Sequence, residues 1–516
     1  MELDRDVCYR AIATRDARFD GRFFTGVKTT GVYCRPVCPA RTPKLENVTF
    51  FPTAAAAQEA GFRPCLRCRP ETAPGCGAWR GTSSTVSCGL SLIELGALDD
   101  GNVEALAERL GMGGRQLRRL FQQHVGASPL AVAQTRRILL AKQLIHDTRL
   151  PMAEVAMASG FGSIRRFNET FQDLYGRPPG ALRRATKGNP GPDGEISILL
   201  PYRPPYDWDA ILGYLRHRAI PGVESVIDGV FSRTIELGGA RGSVSVQQAE
   251  GSALRATIRF PRTAMLLTIV ERLRRLFDLA ADPESISAHL GKDDALGQMV
   301  AARPGLRVPG AWDGFETAIR AILGQQITVV AANGLARKLV QTYGEPLRNG
   351  EIVNGLTHIF PRPERLAAAE LASLGMPRSR GLTLSGLSQA FVRDARLFDA
   401  RQSLEEAVLR LRAVPGIGEW TAQYIAMRVL REPDAFPAAD VALARAMEAA
   451  EGRGFLPKEL LARAEKWRPW RAYAAQHLWA SLHGSPGIVN PSFNANISTS
   501  QPAGKIESEL PETAVA

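Results

Sequence analysis

Cysteine runs out early in this chain. There are seven among 516 residues, all within the first 88, and none follows Cys88. That excludes a disulfide framework spread along the chain and any cysteine-held cluster in its later parts. Long apolar runs are missing too, so no transmembrane helix and no membrane partner are expected. The opening MELDRDVCYR is charged and has no apolar core, so no secretory signal is expected. These absences point to a reducing cytoplasm, where clustered cysteines bind metal before they pair. Acidic residues are scarce in the front part: residues 1–190 hold 27 basic against 17 acidic side chains, the remainder 37 against 35. A basic front implies a polyanion partner, most often nucleic acid, with a merely basic surface as the plainer alternative. The length calls for several domains rather than one core.

What is present begins with two cysteine pairs. Cys34-Arg-Pro-Val-Cys38 and Cys65-Leu-Arg-Cys68 are separated by 26 residues. Four thiolates in two knuckles suit one tetrahedral zinc ion, against the alternative of unliganded buried cysteines. Such sites are ordinarily structural, yet Lys28, Arg35, Arg41, Arg63, Arg67 and Arg69 crowd this one. FTGVKTTGVYCRPVCPART and GFRPCLRCRP closely resemble the N-terminal domain of the Ada family of methylation sensors. The resemblance implies that Cys34 is both zinc ligand and nucleophile, accepting a methyl group irreversibly from a methylphosphotriester in DNA. Cys38, Cys65 and Cys68 would be ligands only, and Arg35, Arg41 and Arg63 would hold the DNA backbone. Cys8, Cys76 and Cys88 have no partner pattern and read as packing or linker residues.

GCGAWRGTSSTVSCG, small and Gly-rich, reads as a flexible tether. Beyond it, VEALAERLGMGGRQLRRLFQQHVGASP has the short helix, Gly111 turn and second helix of a helix-turn-helix. MAEVAMASGFGSIRRFNETFQDLYGRPP repeats that pattern, each copy with a phenylalanine (Phe121, Phe171), then Gly, then Pro. The pair resembles the AraC-type DNA-binding domain, which sets two recognition helices in successive major grooves. Arg115 and Arg118 fall in the first such helix, Arg165 and Arg166 in the second. Each either reads a guanine edge or grips phosphate.

KGNPGPDG is a second Gly/Pro linker, and a new domain starts after it. Alternating runs at 243–246 and 254–260 suggest a small antiparallel sheet, and from Met265 onward the patterns are almost all helical. The stretch LRAVPGIGEWTAQYIAMRVLREPDAFPAADV organises this part. Gly416 and Gly418 flank Ile417 in a tight hairpin before a helix that starts near Glu419, and they bring backbone N–H groups close to a partner such as a DNA phosphate. A plain helical corner with a surface aspartate is the alternative. PGIGEWTAQY followed by Asp440 resembles the helix-hairpin-helix plus aspartate signature of DNA glycosylases. RPPYDW, ARPGLRVPG, AIRAILGQQIT, LGMP and KWRPWRAYAAQHLW extend the resemblance, to the AlkA type of 3-methyladenine DNA glycosylase.

That resemblance implies a pocket for a flipped base lined by Tyr214, Trp420, Tyr424 and Trp479, whose faces attract a cationic base. Asp440 would be the catalytic carboxylate, an anion beside C1′ that stabilises an oxocarbenium-like sugar and orients water. Gly416, Gly418 and Thr421 would lie on the DNA side of the hairpin, and Gln326 or Ile327 would fill the gap left by the base. Relatives that also cut the strand have a lysine where Trp420 stands and an iron–sulfur loop of four cysteines, so this chain reads as monofunctional. It departs from the AlkA pattern at Ala439, Val441 and Gln326. Those departures support an alternative: a transcription regulator whose glycosylase part binds DNA but is weak or inactive.

The expected architecture is multidomain and mainly α with α+β parts. Its parts are a zinc-bound methyl-accepting domain (1–80), a paired helix-turn-helix domain (81–187), and a small antiparallel sheet subdomain (195–265). A helix-hairpin-helix glycosylase domain (266–487) and a disordered tail (488–516) complete it. Expected partners are double-stranded DNA, both methylated and promoter, and the transcription machinery, for a monomer in the cytoplasm at the nucleoid. No Pro-Cys-His-Arg motif is present, so the direct O6-methylguanine repair of some Ada proteins is not expected.

Overall fold

The computed structural model describes residues 4–74, 84–99, 101–183, 195–348, 354–399 and 403–482. Cys76, most of the first Gly-rich stretch, the second Gly/Pro linker and the expected tail lie outside the described residues. Helix α1 (Arg5–Thr14) opens the zinc domain, capped by Asp4, whose carboxylate accepts from the Asp6 and Val7 N–H groups. Four short strands follow: β1 (Phe24–Val27), β2 (Val32–Cys34), β3 (Val48–Phe51) and β4 (Arg63–Pro64), in the order β3-β1-β2-β4. Helix α2 (Ala54–Glu59) packs on them. The parallel pairing of β2 with β4 matters most, because it delivers Cys34 and Cys65 to the same end of the sheet.

Helix α3 (Ser84–Glu94) begins earlier than expected, so TVSCG belongs to a helix and not to a tether. Val86 and Ile93 are buried on one face of it, with Cys88 and Leu92 buried beside them, and that apolar side decides the matter. The first helix-turn-helix is α4 (Val103–Arg109) and α5 (Gly114–Val125), with Gly111 left-handed at φ +69° between them. Helix α6 (Pro129–Asp147) joins it to α7 (Met152–Ala158) and α8 (Ile164–Tyr175), where Gly160 makes the matching turn at φ +82°.

The sheet subdomain has β5 (Glu195–Pro201), helix α9 (Trp208–Arg218), then β6 (Glu224–Ile227), β7 (Val230–Leu237), β8 (Ala240–Gln248) and β9 (Ala253–Arg259). All pairings are antiparallel in the order β5-β9-β8-β7-β6. A helical body follows, with α10 (Leu266–Leu276), α11 (Pro283–Leu290), α12 (Gly297–Ala302), α13 (Gly314–Leu323) and α14 (Val329–Tyr343). Then come α15 (Pro363–Ala367), α16 (Arg378–Arg393), α17 (Leu404–Arg412) and α18 (Glu419–Ile425). Helices α19 (Val441–Glu451), α20 (Pro457–Ala464) and α21 (Arg471–Ser481) close it. Among the described residues no helix is long and apolar enough to cross a membrane.

The cores do not respect the boundaries expected from the linkers. One apolar cluster combines Leu144, Val155, Phe167 and Phe171 of the second helix-turn-helix with Ile198, Leu200, Val244 and Ile258 of the sheet. Gln143 donates from α6 to the Leu199 carbonyl of β5 at 2.7 Å. Lys142, fully buried, ties α6 to the zinc domain through Glu71 and the Cys65 carbonyl, both at 2.7 Å. Arg109 pairs with Asp399 and Arg22 with Asp282, so the front domains also touch the helical body. Shared apolar burial, roughly 25 cal/mol per Å², makes such an arrangement one body and not beads on a string.

Candidate functional site

At the front, the Sγ atoms of Cys34, Cys38, Cys65 and Cys68 lie within 4.8 Å of one another. Zinc–sulfur bonds of about 2.3 Å in a tetrahedron put sulfurs roughly 3.8 Å apart, so the four residues fit one zinc ion. The Arg35 and Arg67 backbone N–H groups donate to the sulfurs of Cys68 and Cys65, each at 3.4 Å, which favours the thiolates. Cys65 and Cys68 are buried, and Cys34 and Cys38 are half-buried as residues. Cys8 and Cys88 behave as packing residues. Burial pushes the Cys8 thiol up to about 11 and the Cys88 thiol to about 12.

Arg35 does not face outward for DNA. Its guanidinium pairs with Asp20 and donates to the Cys68 carbonyl at 3.3 Å and Thr72 Oγ1 at 2.6 Å, bracing the second knuckle. Arg41 is exposed and Arg63 half-buried. In the helix-turn-helix pair, Arg115, Arg118, Arg165 and Arg166 are all exposed on α5 and α8. Arg118 meets Glu104 at 2.5 Å and Arg165 meets Glu169 at 2.7 Å, exposed pairs that cost little to exchange for phosphate.

The second site collects residues from four helices. Asp440 is the N-cap of α19, and its Oδ1 accepts from the Ala442 and Leu443 N–H groups, each at 3.0 Å. The same carboxylate accepts both indoles of the site: Trp420 Nε1 at 2.8 Å to Oδ2 and Trp479 Nε1 at 3.1 Å to Oδ1. Four donors hold the carboxylate immobile at the helix N-terminus. Trp420 stacks on Tyr424 at 5.3 Å with 11° between ring planes. Tyr424 and Tyr214 share a hydroxyl hydrogen bond of 3.1 Å across α18 and α9. Burial pushes the Tyr214 phenol up. For Tyr424 burial pulls the same way but is outweighed by the nearby Arg428 and Arg218 charges, and its phenol sits below the ordinary value.

The five residues expected here are therefore brought together. Trp467 is core, 1% exposed. Gly416 holds a left-handed φ of +87°, and a Cβ there would fall 2.0 Å from Thr383 Oγ1, so only glycine fits the hairpin. Gln326, exposed and left-handed at φ +56°, and half-buried Ile327 sit on the loop between α13 and α14. Thr421 is a correction: it is 2% exposed, and its hydroxyl accepts from Gln325 Nε2 at 3.1 Å. Gln325 also donates to the Gly416 carbonyl at 3.1 Å, so Thr421 and Gln325 lash the Gln326 loop to the hairpin. Sequence reasoning missed Gln325, the indole N–H groups as Asp440 donors, and Arg428. A lone arginine in the apolar run IAMRVL was the available signal for Arg428.

Known proteins match in four blocks. The metal binding domain of Ada matches residues 7–71, a helix-turn-helix domain 106–185, the AlkA N-terminal domain 197–313, and the HhH-GPD base excision DNA repair superfamily 319–471. A probable bifunctional transcriptional activator/DNA repair enzyme AlkA of Mycobacterium tuberculosis is 43% identical over 486 residues, covering 93% of this chain and 97% of that one. DNA-3-methyladenine glycosylase 2 of Escherichia coli is 37% identical over 288 residues, 54% of this chain and 95% of its own. The bifunctional activator and repair enzyme Ada of Escherichia coli is 39% identical over 135 residues, 26% of this chain and 37% of its own. With a cysteine cluster fit for zinc at one end, an aspartate set among aromatic rings at the other, and a relative matched along nearly its whole length, this chain belongs to the family of AlkA-type bifunctional transcriptional activator/DNA repair enzymes.

Proposed function

We propose that the chain excises alkylated bases such as 3-methyladenine from double-stranded DNA and separately accepts a methyl group that turns it into a transcriptional activator. By role the chain would divide into 1–80 methyl acceptor, 81–187 DNA binder, 195–265 and 266–487 glycosylase and 488–516 tail, although the DNA binder and the glycosylase share a core. The observation that carries the reading is the Asp440 carboxylate, held by both indole N–H groups and the α19 backbone before any substrate arrives. An anion already oriented costs no reorganisation as positive charge develops on the sugar. A flipped base would stack against Trp420, Tyr424, Tyr214 and Trp479, and Asp440 would face C1′ and orient the attacking water. Gly416 and Gly418 would meet the DNA backbone, and Gln326 or Ile327 would enter the gap. Trp420 has no amine, so the product is an abasic site in an uncut strand.

In the front domain, Cys34 Sγ attacks the methyl carbon of a methylphosphotriester. The carbon–oxygen bond breaks, the phosphate oxygen keeps the electron pair as a diester anion, and the sulfur becomes a thioether. Bound zinc, held by Cys34, Cys38, Cys65 and Cys68, would keep these sulfurs deprotonated at neutral pH. Arg41 and Arg63 would position the phosphate. Arg115, Arg118, Arg165 and Arg166 would dock promoter DNA as a monomer at the nucleoid, in reach of the transcription machinery.

The test is one incubation of the full chain with methylated duplex DNA. Free 3-methyladenine, an alkali-labile but uncut strand, and S-methylcysteine at position 34 are expected. No base release would leave the regulator-only reading. A borohydride-trapped adduct would overturn the role given to Trp420.

A further inference from the structure

Helix α18 runs into a π turn, Ala426–Leu430, and its middle residue, Arg428, is 2% exposed. The guanidinium carbon lies 4.8 Å from the centre of the Tyr214 ring and 5.4 Å from those of Tyr424 and Trp479. Nη1 donates to the Pro309 carbonyl at 3.0 Å and Nη2 to Gln476 Oε1 at 3.1 Å, both neutral acceptors, and Nε is buried without a hydrogen-bond partner. A cation buried on neutral partners carries a large desolvation cost, which nothing in the packing of an apolar helix requires.

Trp420, Tyr424 and Arg428 follow one another at four-residue steps. Along the helix Arg428 therefore stands about 12 Å beyond Trp420, whose indole touches Asp440. The site is thus an axis with an anion at the sugar end, aromatic rings between, and a fixed cation behind them. Alkylated bases are themselves cations, so this charge opposes the attraction that aromatic faces alone would give them.

We infer that Arg428 determines which bases the site releases, by stabilising those that depart with negative charge. The inference rests on the glycosylase reading above and concerns its substrate range. When an N-alkylated purine leaves, the C1′–N bond breaks and the pair neutralises a base that was cationic. Positive charge passes to C1′, and water adds there and loses a proton. When a neutral purine leaves, the same pair makes the base an anion, which takes up the proton that the adding water loses. Arg428 repels the first base when bound and has nothing to stabilise once that base is neutral, so it raises KM and kcat together. It attracts the second base only as the bond breaks, so it raises kcat alone.

The experiment uses the full chain and duplexes containing one hypoxanthine, a neutral base, or one 7-methylguanine, a cationic one. Arg428→Gln should slow hypoxanthine release by about a hundredfold in kcat with KM unchanged. For 7-methylguanine, KM and kcat should fall together and kcat/KM should move by less than about threefold. Arg428→Lys, which keeps the charge, should restore most of the hypoxanthine rate. The ratio of the two rates in one preparation does not depend on the folded fraction. Equal losses on both bases, or no rescue by lysine, overturn the role of Arg428. A wild-type chain that releases 7-methylguanine but no hypoxanthine overturns the inference, and one that releases neither of these nor 3-methyladenine refutes the glycosylase reading itself.

Discussion

The two sites are built from opposite materials. The zinc cluster draws its ligands from 35 consecutive positions, Cys34 to Cys68, brought together by two strands pairing in parallel. The aromatic site draws Tyr214, Trp420, Tyr424, Arg428, Asp440 and Trp479 from helices far apart in the chain. In the first, spacing does the work and the fold only closes a ring. In the second, each residue is ordinary until its neighbours give it a role. Two tryptophans become donors, and an arginine becomes a charge behind a wall. Local sites tolerate loss of distant packing, whereas composite sites depend on it.

That contrast can be broken most sharply at Asp440. Asp440→Asn keeps one acceptor oxygen, for the α19 cap and the Trp479 indole, but sets an amide NH2 against Trp420 Nε1 and removes the charge, so base release should fall by about a thousandfold or more while DNA binding persists. Single-turnover release beside a binding titration checks it, and an unchanged rate would move catalysis to another group.

The next test asks whether the front half depends on the rest. Lys142 and Glu71 are both buried, and burial holds the lysine ammonium below its usual value against the pull of Glu71. Lys142→Met leaves the Glu71 carboxylate with Arg69 alone and should cost on the order of 3 kcal/mol in denaturant unfolding. A Lys142→Met/Glu71→Met pair should recover most of it. Equal losses would mean the Cys65 carbonyl, and not the ion pair, is what Lys142 serves.

Methylation of Cys34 compares the same site before and after reaction. Zinc with four thiolates carries a formal charge of −2, which becomes −1 once Cys34 is a thioether, and that lowers repulsion from a nearby phosphate. At ~5 Å and an effective dielectric of ~20 the ceiling is on the order of 3 kcal/mol, and screening should leave about 1.4 kcal/mol, a tenfold gain in operator affinity. The full chain is the material to use, because the second helix-turn-helix shares its core with the sheet. Equal affinities of free and methylated protein at low salt would remove the electrostatic cause.

The smallest effect is at Glu432, pushed up to about 7 by burial and then by Asp434 and Glu405. An acid raised above its unfolded value of 4.5 carries no penalty below that pH and a growing one up to about 7. Glu432 is only half-buried and realises a fraction of that shift, so Glu432→Gln should stabilise by about 1 kcal/mol at pH 8 and not at pH 4.5. Thermal unfolding at the two pH values checks this, and a gain of equal size at both would assign it to packing.

Much of this was legible in advance because it is written at short range. Cys34-Arg-Pro-Val-Cys38 with Cys65-Leu-Arg-Cys68 dictates a four-sulfur cluster wherever the intervening chain can turn. The repeated helix, glycine turn and helix follow from apolar period and a left-handed position that glycine takes without strain. The hairpin at Gly416 and Gly418 follows likewise, and so do two of the five strands of the sheet, β8 and β9. What the sequence could not decide is where a side chain spends its polar atoms. Arg35 goes to Asp20 and not to DNA, Thr421 to Gln325, and Trp420 and Trp479 to Asp440. Nor could it decide that α3 would replace a tether, or that the Gly/Pro-linked domains would pool one core, since burial depends on surfaces distant in the chain. Sequence determined the parts and their chemistry. Only the tertiary structure decided which charges face each other, because hydrogen bonds and Coulomb forces act over a few ångströms of space, whatever the separation along the chain.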